Sequence, residues 1–392
     1  MKPGAVKKLI LNLVRLAVSA GLIAYVLHII PFRDVVPLAN GKTIVCTVTA
    51  EKPEGLTVLV AGKSQEIPLA EIARREKKPL YDRGFIPIVT QMRKGIYFPS
   101  LLFLFTVILI DVVRWQLLLR VQGVVLDYPH ALALTYGGIF CNTFMLGSTG
   151  GDVIKAVLVA RRTTRKARAV LTIFLDRLVG LVALVIVAGA VIPLQWNVPE
   201  VRRIAVVVYG FLGAFFGGFL VYFHPAFRAS RLFRWFMARL RMKVLHELDA
   251  AFYAYRGSPR VVVLAFAITF VAHLFGILAI IGFGKALGIQ EASVAHYFIF
   301  YPIIAVVCSI PISFSGWGVG EMAFAALFGA VGVQPAAAIT LSVLSRLSIL
   351  FVSLPGGLVF LLGVEDLKVK ESEVAEVHAA EEGPPAEGPK AG

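Results

Sequence analysis

Two short stretches place a carboxylate where an apolar chain offers it little water. GSTGGD, residues 147–152, and GWGVGE, residues 316–321, each run glycines into an acid, and each lies between long apolar runs. The spacing repeats. Gly147 precedes Asp152 by five residues and Gly151 is adjacent to it; Gly316 precedes Glu321 by five and Gly320 is adjacent to it. Arg177 follows Asp152 by 25 positions, and Arg346 follows Glu321 by 25 positions. Thus one unit, a glycine-rich turn, an acid, a half-helix and an arginine-bearing span, occurs twice.

The chemistry open to such a unit is charge recognition at membrane depth. A carboxylate at a half-helix start is favoured by the helix dipole, and the uncapped N–H groups of the same turn suit an anion. An arginine inside a membrane is costly unless it is paired or hydrated. Asp152 is therefore expected to pair with Arg177 or Arg346, and Glu321 likewise, with Asp176 a competing partner beside Arg177. The other role open to these arginines is to receive a lipid phosphate, which a guanidinium fits well. Ser148, Thr149 and Gly150 in the first turn, and Ser313 and Gly318 in the second, complete the candidate lining of a substrate path. Asp111 and Arg114, one helical turn apart, are expected to form a structural pair. A purely structural salt-bridge network is the competing reading for all of these charges.

Other chemistries lack their residues. Cys46, Cys141 and Cys308 show no CxxC spacing, and the seven histidines include no HExxH, so no metal or cofactor is implied. With no Walker motif in the chain, any transport would be passive, gradient-driven or partner-driven.

Elements that position these residues follow from composition. Of 392 residues, 58% are hydrophobic and 16% charged, with a mean hydropathy of +0.80. Several runs of 18 or more mostly apolar residues make this an all-α polytopic membrane protein. About six full spans are expected, plus two re-entrant helical hairpins forming an inverted repeat, with a small β-rich insert after the first span. The division is 1–30, first span; 31–96, extramembrane insert; 97–363, transmembrane core; 364–392, an acidic, disordered, cytoplasmic tail.

Charge sets the topology. Lys2, Lys7 and Lys8 place the N-terminus in the cytoplasm. The alternative, a signal peptide cleaved after AVSA, is disfavoured because the apolar run continues to Ile30. The insert carries two β-rich stretches, GKTIVCTVTA and LTVLVAGKSQEIPL, followed by a charged helical continuation, LAEIARREKKPLYDRG. If residues 131–146 crossed fully, the basic run ARRTTRKAR would lie outside, so a turn back at GSTGG is expected. Full spans are expected at 97–119, 169–193, 203–223 and 261–285, with a final one from about 336. The stretch from His224 to Arg260 holds eight basic residues against two acids, interleaved with Phe, Leu and Trp. Its 228–243 portion reads as an interfacial amphipathic helix on anionic headgroups. The net charge is +15, although the tail from Val364 holds eight acids against three lysines. Since no soluble basic domain stands out, membrane lipid is the expected partner and nucleic acid is not.

The motifs resemble a known family. LGSTGGDVIKAVLVARR followed by LDRLVGL is similar to the PGGxGGD…RxxLLxRR and ERxxGL of the lysylphosphatidylglycerol synthase transmembrane region, also called the flippase-like domain. IPISFSGWGVGEMAF resembles its PxSPGGLGVREGA, and RWQLLLRVQG its RWxxLLxxxG. The likeness covers residues 1–30 and 97–363. It implies a lipid-handling domain of a bacterial or archaeal inner membrane, in some relatives a flippase of aminoacylated phospholipid. The chain departs from the pattern at three places. Leu146 through Thr149 replace the proline turn, Gly320 stands where the family has arginine, and the 31–96 insert is extra. No aminoacyl-transfer domain follows residue 363, so synthase activity is not implied.

Three functions remain in view. The first is a translocator moving an anionic or amphiphilic lipid, or a lipid-linked precursor, between leaflets. The second is a membrane-embedded transferase acting on a lipid-linked sugar or phosphate, with Asp152, Asp176 and Glu321 as bases or metal ligands. The third is a non-transporting scaffold that docks a protein partner through the insert. The first expectation is the leading one, with no enzymatic activity of its own.

Overall fold

The structure, a computed structural model, describes residues 17, 20–28, 31–60, 62–73, 81–144, 151–152, 155–156, 159, 166–231, 233–235, 249, 253, 255–310 and 313–361. The protein is mostly helical, with one small antiparallel sheet near the N-terminus. Strands β1 (Asp34–Pro37), β2 (Thr43–Lys52), β3 (Gly55–Val60) and β4 (Lys63–Pro68) pair in sequence order. Alternation decides its faces: Val36, Cys46, Val48, Leu56, Val58 and Ile67 point into a small core of their own. There the Cys46 thiol is pushed up to about 11 by burial and by Asp34.

The core of the charged helix expected after β4, residues 74–80, lies outside the described residues. A short 3-10 turn, Leu69–Glu71, leads to Ile72, which bridges Leu38, while Asp82 bridges Val35. Asp34 is the physical reason on the returning side. Buried beneath the sheet, its carboxylate accepts the N–H of Val48 at 2.8 Å and of Gly84 at 2.7 Å, tying the chain back along β1. The sheet is also fastened to the helical body. Gln334 accepts the N–H of Arg83 at 2.9 Å and donates to the carbonyl of Tyr81 at 3.2 Å.

The helical body comprises α1 (Phe85–Thr90), α2 (Lys94–Val121), α3 (Tyr128–Phe144), α4 (Lys166–Val191), α5 (Pro199–Phe223), α6 (Pro225–Ala229), α7 (Pro259–Ala286), α8 (Val294–Ser309), α9 (Val319–Gly329), α10 (Pro335–Ser353) and α11 (Pro355–Leu361). Among the described residues, five segments are long and apolar enough to cross a membrane: α2, residues 171–195, α5, α7 and residues 335–358. Their ends fall within about a turn of those expected. The expected first span lies mostly outside the described residues; residues 20–28 are helical, and Val26 is buried in the main core. The final span, expected as one helix, is divided. Pro355 lacks the N–H that would continue α10, and the chain restarts as α11. A Cβ on Gly356 would lie 2.2 Å from the Tyr136 carbonyl, so α11 seats directly on α3.

Packing divides the helices into a centre and a rim. Most residues of the 335–358 span are buried, whereas few of those in α5 are. Helices α2 and α7 pair over much of their lengths, with Ser100 filling the space beside Gly282. A reciprocal pattern relates the two glycine-turn units: α4, which carries Arg177, packs on α8, and α10, which carries Arg346, packs on α3. Each arginine-bearing helix thus lies against the helix that leads into the other unit's break. Helices α8 and α9 are short, 16 and 11 residues. At about 1.5 Å per residue, neither reaches across a hydrocarbon core of about 30 Å.

Candidate functional site

The second break is described in full apart from residues 311 and 312. Helix α8 ends at Ser309, and a tight turn, Phe314–Gly316, follows. Ser315 adopts φ 48°, alone among described non-glycine residues in the left-handed region, a conformation that costs energy and must be held by its surroundings. Gly316 and Gly318 then take φ of 75° and 82°, which releases α9 from Val319 onward. Glu321, at the third position of α9, turns back so that its Oε2 accepts the Gly318 N–H at 2.6 Å. A negative charge in the first turn also meets the helix dipole.

Arg346 on α10 closes this break. Its Nε lies 2.8 Å from Glu321 Oε1, which also accepts the Ser342 hydroxyl at 3.2 Å. Its two terminal nitrogens donate to the carbonyls of Ser315 at 2.8 Å and Gly316 at 2.6 Å, and the guanidinium lies over the Trp317 ring. One arginine thereby neutralises the acid and satisfies two carbonyls freed where the helix unwinds, as low dielectric requires. Gly320 explains itself by contact. A Cβ there would stand 2.1 Å from Arg346 Nη2. The residue that departs from the family's arginine is the one that gives Arg346 its space.

At the first break Gly147, Ser148, Thr149 and Gly150 lie outside the described residues. Gly151 and Asp152 are described and helical. Gly151 sits against α3: a Cβ would come 1.8 Å from the Gly138 carbonyl. Asp152 pairs with Arg177 Nε. Asn142, near the end of α3, ties the two together, its Oδ1 accepting the Gly151 N–H at 2.8 Å and its Nδ2 donating to Asp152 Oδ1 at 3.3 Å. The Asn142 carbonyl meanwhile accepts the Ser315 hydroxyl at 3.3 Å. The two breaks touch through this residue, although Asn142 and Ser315 lie 173 residues apart in sequence.

Sequence reasoning left each acid two possible arginines. The structure pairs each with the arginine of its own unit. It also assigns Asp176. Arg114 grips Asp176 with two bonds, Nε to Oδ1 at 2.8 Å and Nη2 to Oδ2 at 3.1 Å, and reaches Asp111 at 3.2 Å and Thr269 at 3.3 Å. Asp176 and Arg177 therefore serve different partners, as neighbours 100° apart on one helix can. Lys155, one turn beyond Asp152, is buried with its ammonium 3.5 Å from the Trp115 ring centroid. Asn142, Thr269 and Lys155 were missed. Asn142 carried a signal, a carboxamide ten residues before the acid in an otherwise apolar run. Ser313, in the second break, is buried, and its hydroxyl has no hydrogen-bond partner among the described residues. Of the basic 228–243 segment, the described part shows Arg228 bonded to Asp249 at 2.8 and 3.0 Å; the rest lies outside the described residues.

Comparison with known proteins gives one family. The model of the lysylphosphatidylglycerol synthase TM region matches residues 83–356, which takes in both breaks, four candidate spans, nearly all of the fifth and the end of the insert. The match leaves out residues 1–30. No curated protein and no solved structure matches the chain. With the family pattern spanning most of its length, the chain is a multi-pass membrane protein that belongs to the lysylphosphatidylglycerol synthase transmembrane-region family.

Proposed function

We propose that the protein moves an anionic or amphiphilic lipid, or a lipid-linked precursor, between leaflets along a path lined by the two glycine breaks. The observation that carries this reading is the meeting of the breaks at Asn142 and Ser315, with an acid–arginine pair on either side. Two short helices, α8 and α9, joined at an unwound turn, together with the reciprocal packing of the arginine helices, support an inverted repeat of re-entrant hairpins. Broken helices meeting at a repeat interface are where membrane transporters bind substrate. Polar lining supports the same reading, since a buried, unpartnered hydroxyl such as Ser313 suits a bound headgroup or water. The first pair is the one open to substrate: Asp152 and Arg177 keep 23% and 35% of their side chains exposed. In this reading Arg177 exchanges its carboxylate for a lipid phosphate as the headgroup passes. The site lies in a bacterial or archaeal inner membrane with both termini cytoplasmic, and anionic headgroups meet the basic 228–243 segment.

Vesicles reconstituted with the full chain and a trace of fluorescent phosphatidylglycerol test the proposal. Dithionite bleaches only outer-leaflet probe in protein-free vesicles. Bleaching that proceeds beyond that half in protein-containing vesicles is the expected result; bleaching that stops at half in both sinks it.

A further inference from the structure

The peripheral helix α5 does not lie flat on the bundle. Its buried residues, Val201, Ala205 and Val208, all belong to its first half, where Tyr209 also bonds the Gly189 carbonyl of α4 at 2.8 Å. Its second half exposes Phe216, Phe219 and Leu220. Between that half, α4 and the start of α7 lies a cavity of about 760 Å³. That volume is within the roughly 300–1,000 Å³ of ligand sites. Its walls are aliphatic and aromatic, and its floor, Leu118, Leu175 and Ala265, lies within about a turn of the Arg114–Asp176 pair.

One end of the groove is charged. Arg256 lines it, bonded to the Tyr253 hydroxyl, and Arg260, four residues later, lines an adjoining recess that shares Pro259 and Val263 with it; both arginines are exposed, and among the described residues neither has a carboxylate partner. Space inside the groove is left open by glycine. A Cβ on Gly218 would meet nothing within 4 Å, although glycine in a helix interior is less favourable than alanine. An apolar slot open beside an exposed helix, with one exposed guanidinium at its mouth and a second in the adjoining recess, has the form of a site for one amphiphile.

We infer that this groove holds the acyl chain of an anionic glycerophospholipid whose phosphate sits at Arg256 and Arg260. The site differs from the translocation path through the two breaks, and it stands whether or not the protein moves lipid. A lipid bound here would fill the gap behind α5 and brace the floor beneath the Arg114 network.

Photo-crosslinking tests it directly. The full chain is reconstituted with phosphatidylglycerol or phosphatidylcholine carrying the same diazirine acyl chain, and labelled peptides are mapped by mass spectrometry. The site predicts labelling of residues 214–223 and 259–266, favouring phosphatidylglycerol. A cation near an anionic headgroup shifts affinity by roughly fivefold, so Arg256→Gln with Arg260→Gln should remove the preference. Gly218→Phe, which fills open space without a backbone clash, should abolish labelling in the groove while the protein keeps its melting temperature. Equal labelling by both lipids in the wild type, unchanged in the double variant, means ordinary boundary lipid and overturns the site. Full labelling in a folded Gly218→Phe protein, or no labelling of these segments, overturns it too.

Discussion

The two breaks share an acid–arginine spacing but differ in how much protein closes over the pair. Glu321 and Arg346 expose 3% and 17% of their side chains, and the pair is held by Ser342, the Gly318 N–H and two turn carbonyls. Asp152 and Arg177 expose 23% and 35%, and the described carboxamide Asn142 supports the acid from one side. One sequence pattern thus yields a closed joint and an open pair. A closed joint stabilises a helix break, whereas an open pair can exchange its partner for a substrate charge. In the proposed function, therefore, the second pair holds its break together and the first pair meets the substrate.

Substitutions can break that assignment. Removing one partner of a buried pair strands the other, a loss of about 3–5 kcal/mol. Arg346→Ala or Glu321→Ala should therefore lower the thermal midpoint of the detergent-solubilised protein most, or prevent its purification. Gly320→Arg restores the family residue but drives a side chain into the Arg346 guanidinium. Overpacking of this kind costs about 1–3 kcal/mol, and a melting curve unchanged by it would mean that Arg346 is not held as described. Asn142→Leu, which leaves the Gly151 N–H without its acceptor, should cost about 1–3 kcal/mol, read by the same melting assay, and should slow lipid movement. Partly exposed pairs contribute about 1 kcal/mol or less, so Asp152→Asn should barely move the midpoint while stopping transport. In a background freed of native cysteines, Thr143→Cys beside the first break should react faster with a water-soluble thiol reagent than Ser342→Cys beside the second. Equal rates would erase the distinction between open and closed.

Much of the helical body was legible in the sequence because membrane spans need long apolar runs, and α2, α4, α5 and α7 supply them. The equal spacing from acid to arginine pointed to the pairs, since an isolated intramembrane charge is too costly to stand alone. Which arginine met which acid was not legible. That depends on helix rotation, and Asp176, adjacent to Arg177, turns instead toward Arg114 on α2. The charged part of the segment after β4, residues 74–80, lies outside the described residues; on its far side Asp34 holds the chain along the sheet by accepting the Gly84 N–H, a contact no composition signals. Likewise the break at Pro355 was submerged in hydropathy, which counts apolar side chains and not the N–H that proline lacks. Gly320 read as a departure from the family pattern, and only the position of Arg346 gave it a reason.

If the first pair carries lipid, as proposed, the Asp152→Asn protein should lose lipid movement without losing its fold. Its rate of fluorescent phosphatidylglycerol exchange between leaflets is measured beside the wild type in matched vesicles, with melting temperatures taken from the same preparations. Exchange in the wild type, its loss in Asp152→Asn and nearly equal melting temperatures are expected. Equal exchange rates in two equally folded proteins would rule out a transport role for the first pair.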